Sequence, residues 1–469
     1  MSPTKPTCEA AHLTTGPHEN AGSFVPPTPE VVEAKSKLLG GRIPVRFLVF
    51  LGAAAFLIRL CAVLAMRDIN TGPEGAPSND DVSFNNLAVH VARGEGYVGD
   101  SGKPTSFRAP GFPFYLAGIY LVTAGPHYPL AYLTFCFLGS LSCILTYFLA
   151  RELVSERAAR TAAILHAVYL GHIYFATVFV SENLYIPLQT LGVWLFVRYL
   201  KRGNLTALVG TGAVLGFATL TRPFALLLLP IYLLVLLADR RRRPWLIPSV
   251  ALTAVFLAFV LPWTLRNYRA FGRPVLVATN GGSTFYGGNN DRVITEPRFF
   301  GYWLSTTELP HRDLIDATPD EVAHDKMEWK LGIDWVLSNP GKAALLVPLK
   351  VVRMAIGLPD FDAGKWYYAL RIVGYVPFFF MILVGSIRLF RNRCWRSLPW
   401  LAVHAALVAT LATTVIFWGS PRFRDANVGL LMIYAALAFH KLPAWRDDHA
   451  QESSTPNARL EPKENMLTA

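Results

Sequence analysis

Charge is scarce in this chain. Only 16% of its 469 residues are Asp, Glu, Lys or Arg, where a soluble protein of this size carries nearer a quarter. Cysteine is scarce too, with five residues (Cys8, Cys61, Cys136, Cys143, Cys394) at no metal-ligand spacing. Three of them lie in apolar runs, so they read as small hydrophobes and imply no disulfide framework. His90, His172, His311 and His324 also lack ligand spacing and read as structural. The stretch TNGGSTFYGGNND (279–291) is glycine-rich but has no Gly–Lys–Ser/Thr and no strand–helix context. That excludes a P-loop and leaves a turn-rich loop that either contacts sugar or links elements. There is no coiled-coil heptad and no internal repeat.

Apolar residues are plentiful: 52% of the chain is hydrophobic and the mean hydropathy is +0.34. They arrive in runs long enough to cross a hydrocarbon core of about 30 Å, which takes roughly 20 helical residues. Candidate spans are 45–66, 127–150, 161–179, 183–200, 204–220, 224–238, 245–265, 368–390, 397–418 and 426–441. The expected fold is an all-α polytopic membrane protein of about ten transmembrane helices. Interfacial helices lie in its first outer loop, and its extracytoplasmic region is mixed or helical.

The formal net charge of +12 follows from basic residues flanking the spans rather than from a nucleic-acid partner. Assigning every basic cluster to the cytoplasm gives one consistent map, with both termini inside and the apolar segments 111–124 and 343–358 in the interface. The first apolar run starts too far in for a secretory signal and reads as an uncleaved anchor. The organisation is then a disordered cytoplasmic tail (1–44), a membrane core (45–265) with a first outer loop (67–126), an extracytoplasmic region (266–367), C-terminal membrane helices (368–441) and a second tail (442–469).

On this map SNDDVSFNNLAVHVARGEGY (78–97) is extracytoplasmic. Phe84, Leu87, Ala88 and Val91 make one apolar stripe on a helix over 82–93, with Gly94 as its stop. Asp80 and Asp81 precede it at the membrane surface. One carboxylate there can take a proton from an incoming hydroxyl, yet Ser78 to Asp81 also look like a helix N-cap. Glu182, in VSENLYIP, is a second outer acid that either binds a divalent cation or orients a ligand, and Ser181–Glu182–Asn183 would serve equally as a cap. Arg108, Arg222, Arg266, Arg269, Arg273, Arg422 and Arg424 break the inside bias. As a set they suit an anionic headgroup such as a lipid-linked phosphate, against the alternative of snorkelling or pairing with acids such as Asp425. Thr318–Pro319–Asp320–Glu321 predicts another outer helix, with Thr318 as cap and Glu321 closing a capping box, running to about Ser338.

Six stretches in order carry a family resemblance: DDVSFNNLAVHVARGEGY, SFRAPGFPFYLAGIYLVTAG, VSENLYIPL, LGFATLTRPFALLLLP, LPWTLRNYRAFGRPVLVATNGGSTFYGGNND and PRFRDANVGLLMIYAALA. The chain resembles the GT-C superfamily of polytopic glycosyltransferases, in the bacterial branch similar to protein O-mannosyltransferases and aminoarabinose transferases. The resemblance implies transfer of a sugar from a polyprenyl-phosphate donor to a lipid, glycan or protein acceptor outside the bacterial inner membrane, with inversion. It implies Asp81 as general base, ranked above Asp80, and matches Glu182, Arg222, Arg422 and Arg424 to family positions. Phe84 stands where tyrosine is usual. No histidine metal partner is evident, so cofactor need stays open between none and a divalent cation. The competing classes are a lipid-linked-sugar flippase or other transporter, whose acids would lie near the midplane, and an inactive assembly factor.

Overall fold

A computed structural model describes residues 43–73, 79–239, 245–356 and 365–442. The expected tails, and the basic run 240–243, lie almost wholly outside these residues. Helices α1 (Val45–Met66), α2 (Asn79–Ala92), α3 (Gly111–Val122), α4 (Tyr128–Leu153), α5 (Glu156–Ala167), α6 (Leu170–Phe175), α7 (Glu182–Arg202) and α8 (Leu205–Thr221) form the first half. A 3₁₀ turn (Pro223–Leu227) leads into α9 (Leu228–Ala238) and α10 (Leu246–Phe271). Four short or medium helices follow: α11 (Gly281–Gly287), α12 (Arg292–Thr295), α13 (Arg312–Asp316) and α14 (Glu321–Ser338). The chain closes with α15 (Pro340–Ile356), α16 (Lys365–Arg391), α17 (Leu398–Ile416), α18 (Pro421–Asp425) and α19 (Val428–Ala436).

Among the described residues, five helices are long and apolar enough to cross a membrane: α1, α4, α10, the Val373–Arg391 part of α16, and α17. This is a multi-pass membrane protein. The ten expected spans are not ten continuous helices. The segment expected at 161–179 is α5 and α6, broken where Val168 and Tyr169 leave the helix. The segment at 224–238 is a 3₁₀ turn joined to an 11-residue helix.

Local chemistry explains the boundaries. His127 caps α4 by accepting from Leu130 N, Ser155 caps α5, and Asn204 caps α8. Gly272 ends α10 at φ +65°, a left-handed turn that costs glycine nothing. Packing is close where α8 crosses α10. A Cβ at Gly212 or Gly216 would meet the carbonyl oxygens of Leu252 and Phe256 at 2.9 and 3.0 Å, so the backbones touch as small residues allow in membranes.

The membrane core also holds a polar knot. Arg59, in the middle of α1, is fully buried, and its guanidinium donates to Ala55 O (3.0 Å) and Ala167 O (3.4 Å). It also reaches His172 Nδ1 at 3.0 Å and Cys143 Sγ at 3.7 Å. His166 bonds His172 Nδ1 (2.8 Å) and Thr146 Oγ1 (2.8 Å). A charge there is expensive unless its donors are spent; the surrounding acceptors engage both terminal nitrogens, and only Nε has no partner among the described residues. Gly139 leaves room, since a Cβ at that position would overlap the Arg59 side chain.

Outside the spans, α2 buries the expected stripe: Phe84, Leu87 and Ala88 are buried, and the Phe84 ring meets Phe112 of α3 edge-on at 5.2 Å. The helix begins at Asn79, so Asp80 and Asp81 both belong to its first turn. Gly94 follows at φ +77°. The glycine-rich stretch expected to be a loop contains α11, packed on α14, with Trp329 lying over Gly281.

Helix α14 ends at Ser338 as expected, but its start differs. Asp320, not Thr318, is the cap, accepting from Ala323 N at 2.9 Å. Glu321 closes no capping box. It accepts instead from Thr105 Oγ1 (2.6 Å), Ser106 N (2.8 Å) and Thr279 Oγ1 (2.5 Å). Nonlocal donors satisfied the carboxylate better than its own helix. Arg266 pins the same loop from α10 through Tyr97 O (2.6 Å) and Thr105 O (2.8 Å), so it is structural here. Arg273 likewise pairs with Asp320 at 2.5 Å.

Glu321→Ala should free the 105–106 loop from α14 at a cost of about 2–4 kcal/mol for three charge-assisted bonds. Hydrogen exchange should show faster opening at 105–106, 279–287 and the first turns of α14, with α8 and α10 unchanged.

Candidate active site

Consecutive residues of a helix project about 100° apart, and the first turn of α2 uses this to aim two carboxylates at different partners. Asp80 is 23% exposed and lies between two guanidinium groups, Arg108 Nη2 at 2.7 Å and Arg422 Nη1 at 2.9 Å. Asp81 is turned inward, buried, and accepts from the Phe179 backbone N at 2.5 Å.

Glu182 opens α7 and is completely buried. Its Oε1 meets Arg222 Nη1 at 2.7 Å and Arg422 Nε at 2.6 Å, while its Oε2 accepts from Arg422 Nη2 at 3.0 Å. Arg422 therefore holds Glu182 with a bidentate fork and still reaches Asp80 with its third nitrogen-bearing edge. Arg222 also donates to Ser181 Oγ at 3.2 Å; the sequence offered Ser181 as a helix cap, and its side chain makes no capping bond. Aromatic rings back the cations: Phe84 and Phe107 against Arg108, Tyr185 and Phe224 against Arg222.

Three arginines from three distant segments thus converge on two acids. Burial pushes the Asp80 carboxyl up, but Arg108 and Arg422, with Arg222 beyond them, outweigh it and hold it well below the usual carboxylate range.

Arg424 does not join them. Two residues along α18, it pairs with Asp425 (2.8 Å), donates to Ala355 O (2.8 Å) and to Tyr169 OH (3.2 Å), and covers the Tyr375 ring. It locks α18 to α15 and α16, and the structural pairing with Asp425 is the one realised.

Neither polar cluster suits a divalent cation. Both oxygens of Glu182 are occupied by guanidinium, and a dication there would face three arginines. The ligand atoms of Cys143, His166 and His172 lie within 4.8 Å of one another, but the Arg59 guanidinium already uses that donor set. A positive group fills each place that a metal would need.

Three comparisons bear on this arrangement. Residues 107–265 match the family model described as dolichyl-phosphate-mannose-protein mannosyltransferase. The fold matches an archaeal oligosaccharyltransferase, AglB from Archaeoglobus fulgidus, solved with an inhibitory peptide and a dolichol-phosphate. That match has a TM-score of 0.51 and 15% identity, and covers 84% of this chain and 50% of that one. The apo form of the Archaeoglobus fulgidus enzyme gives 0.51 at 14% identity, covering the same shares. ArnT from Cupriavidus metallidurans bound to undecaprenyl phosphate matches at 0.42 and 15% identity, covering 84% and 78%. No curated protein sequence matches. The chain spans about half the length of the archaeal enzyme, and the likeness is one of fold: an all-helical membrane architecture, as the sequence led us to expect.

The low Asp80 titration sets an acid limit. The unfolded chain takes up this proton near pH 4, before the folded one. The ion-pair contribution is therefore complete above the unfolded value and is lost as pH falls through the folded one. The stability margin of wild type over Asp80→Asn should be flat from about pH 5 to 8 and shrink below pH 4, as read from unfolding midpoints in detergent.

Proposed function

We propose that this chain is a membrane glycosyltransferase of the bacterial inner membrane, with its site on the extracytoplasmic face. It moves a sugar from a polyprenyl-phosphate donor to an acceptor hydroxyl with inversion. The observation that carries this reading is the convergence of Arg108, Arg222 and Arg422 beside a surface carboxylate at the start of an interfacial helix. The match of residues 107–265 to a family named for a lipid-phosphate sugar donor supports it.

The donor phosphate binds where the guanidinium groups point and takes Arg108 and Arg422 as counter-ions. The acceptor oxygen then attacks the anomeric carbon from the face opposite the phosphate. The carbon–oxygen bond to phosphate breaks, and its electron pair leaves on the polyprenyl phosphate, where the arginines stabilise the added charge. The acceptor proton passes to a carboxylate of the α2 turn.

Position supports Asp80 in that role. It is the acid in contact with both solvent and the phosphate-binding arginines, whereas Asp81 braces the Phe179 backbone. Its low basicity in the free protein is a consequence of two cations. A bound phosphate draws those cations away, and the carboxylate regains proton affinity when the donor is in place.

Asp80→Asn should lower transfer by about 10²–10⁴-fold with binding of undecaprenyl phosphate retained. If Asp81→Asn does this while Asp80→Asn stays active, the base is Asp81. Arg108→Gln should weaken binding of the bare lipid phosphate by about 10-fold or more. A chain that makes no product in detergent with any polyprenyl-phosphate sugar, yet moves one between compartments, is a flippase. Chelation should leave turnover unchanged, because arginines hold the positions a metal would take.

A further inference from the structure

On the other side of the α2 turn lies a cavity of about 140 Å³, on the order of ten times the space one water needs. Asp81 forms part of its wall, with Asp68, Arg67, Thr71 and Tyr132. Its polar groups are only partly spent on the protein. Arg67 donates from Nε to Thr177 O at 2.7 Å, and its two terminal nitrogens have no partner among the described residues. The Tyr132 side chain is 4% exposed, yet its hydroxyl has no partner among the described residues either. That hydroxyl is open to the cavity, so a ligand or water there can pair with it. Among the described residues, the Asp68 side chain accepts only from Asn70 N (3.0 Å), and the Thr71 hydroxyl donates to Asp68 O (3.0 Å).

The donor set chooses among occupants. A cation is opposed by Arg67, and an anion by Asp68 and Asp81. A lipid tail would offer nothing to the Tyr132 hydroxyl or to the terminal nitrogens of Arg67. A neutral ligand that both donates and accepts, with an apolar face for Val178 and Phe179, satisfies the whole lining. We propose that this cavity is a subsite for a single polyhydroxylated sugar ring. The proposal rests on the glycosyl-transfer reading above, because Asp81 in this wall is the chain neighbour of Asp80, which the arginines hold from the other side of the turn. The ring comes either from the donor or from a glycan acceptor.

The test uses the full chain in detergent, with Tyr132→Phe and Arg67→Gln as variants. Ligands are bare undecaprenyl phosphate and the same lipid carrying mannose, glucose, galactose or arabinose. If the ring is the donor's, wild type binds a sugar-bearing lipid more tightly than the bare one. Tyr132→Phe should then cut that advantage by about 5-fold and Arg67→Gln by about 10-fold, with bare-lipid affinity unchanged. If the ring is the acceptor's, methyl glycosides of those sugars bind to wild type saturated with bare lipid, and the same variants weaken them. Loss of neither advantage in either arm overturns the subsite. Failure of the wider reading looks different: bare undecaprenyl phosphate itself does not bind, or binds regardless of Arg108→Gln.

Discussion

A carboxylate with no exposure to water must be neutralised where it stands, and for Glu182 that task falls to Arg422 and Arg222. Taking either arginine away leaves a charge stranded in a low-dielectric setting, a cost of about 3–5 kcal/mol in buried pairs. The rest of the site follows from this pairing. Arg422 cannot leave Glu182 without that penalty, so its guanidinium plane is fixed, and its remaining edge is directed at Asp80. The turn of α2, the start of α7, the end of α8 and α18 are thereby held to one another by charge as well as by ring contacts such as Phe224 on Phe423. Such a site is pre-organised for an anion before any anion arrives.

The acids and arginines also explain each other's limits. With three cations and two carboxylates, the cluster carries one positive charge in excess. That surplus favours a phosphate and disfavours a metal ion, and it suppresses the basicity of Asp80 until something negative competes for the arginines. For the proposed reaction a membrane surface suits this device, because a lipid-linked phosphate and a hydroxyl from water would meet only there.

How much of this was legible in the sequence depended on whether the governing contact was local. Helix α1 was readable to the residue because its apolar run faces lipid, and α2 was readable from the stripe Phe84, Leu87 and Ala88. The stop at Gly94 and the end of α14 at Ser338 obey short-range rules. The break between α5 and α6 escaped because both halves are apolar and nothing local distinguishes a bent span from a straight one. Asp80, Glu182, Arg222 and Arg422 could each be singled out by position. Their convergence could not, since it joins residues up to 342 positions apart. Arg424 looked equivalent to Arg422, yet two steps along one short turn send the side chains to opposite sides. Glu321 fitted a capping box in pattern and lost that role to distant hydroxyls. Arg59 stood in plain view within the first apolar run, but its meaning lay in His172 and Cys143, which spacing did not connect to it.

That buried arginine has an implication for how related chains can vary. The volume of its side chain exists only because position 139 carries no Cβ, so neither residue can change on its own without either an overlap or a hole. Chains that drift to a neutral residue at 59 are released to enlarge position 139, and those that keep the arginine stay bound to glycine there. The two sites should travel through descent as a linked pair, a signature that an alignment of relatives would display as correlated substitution between α1 and α4.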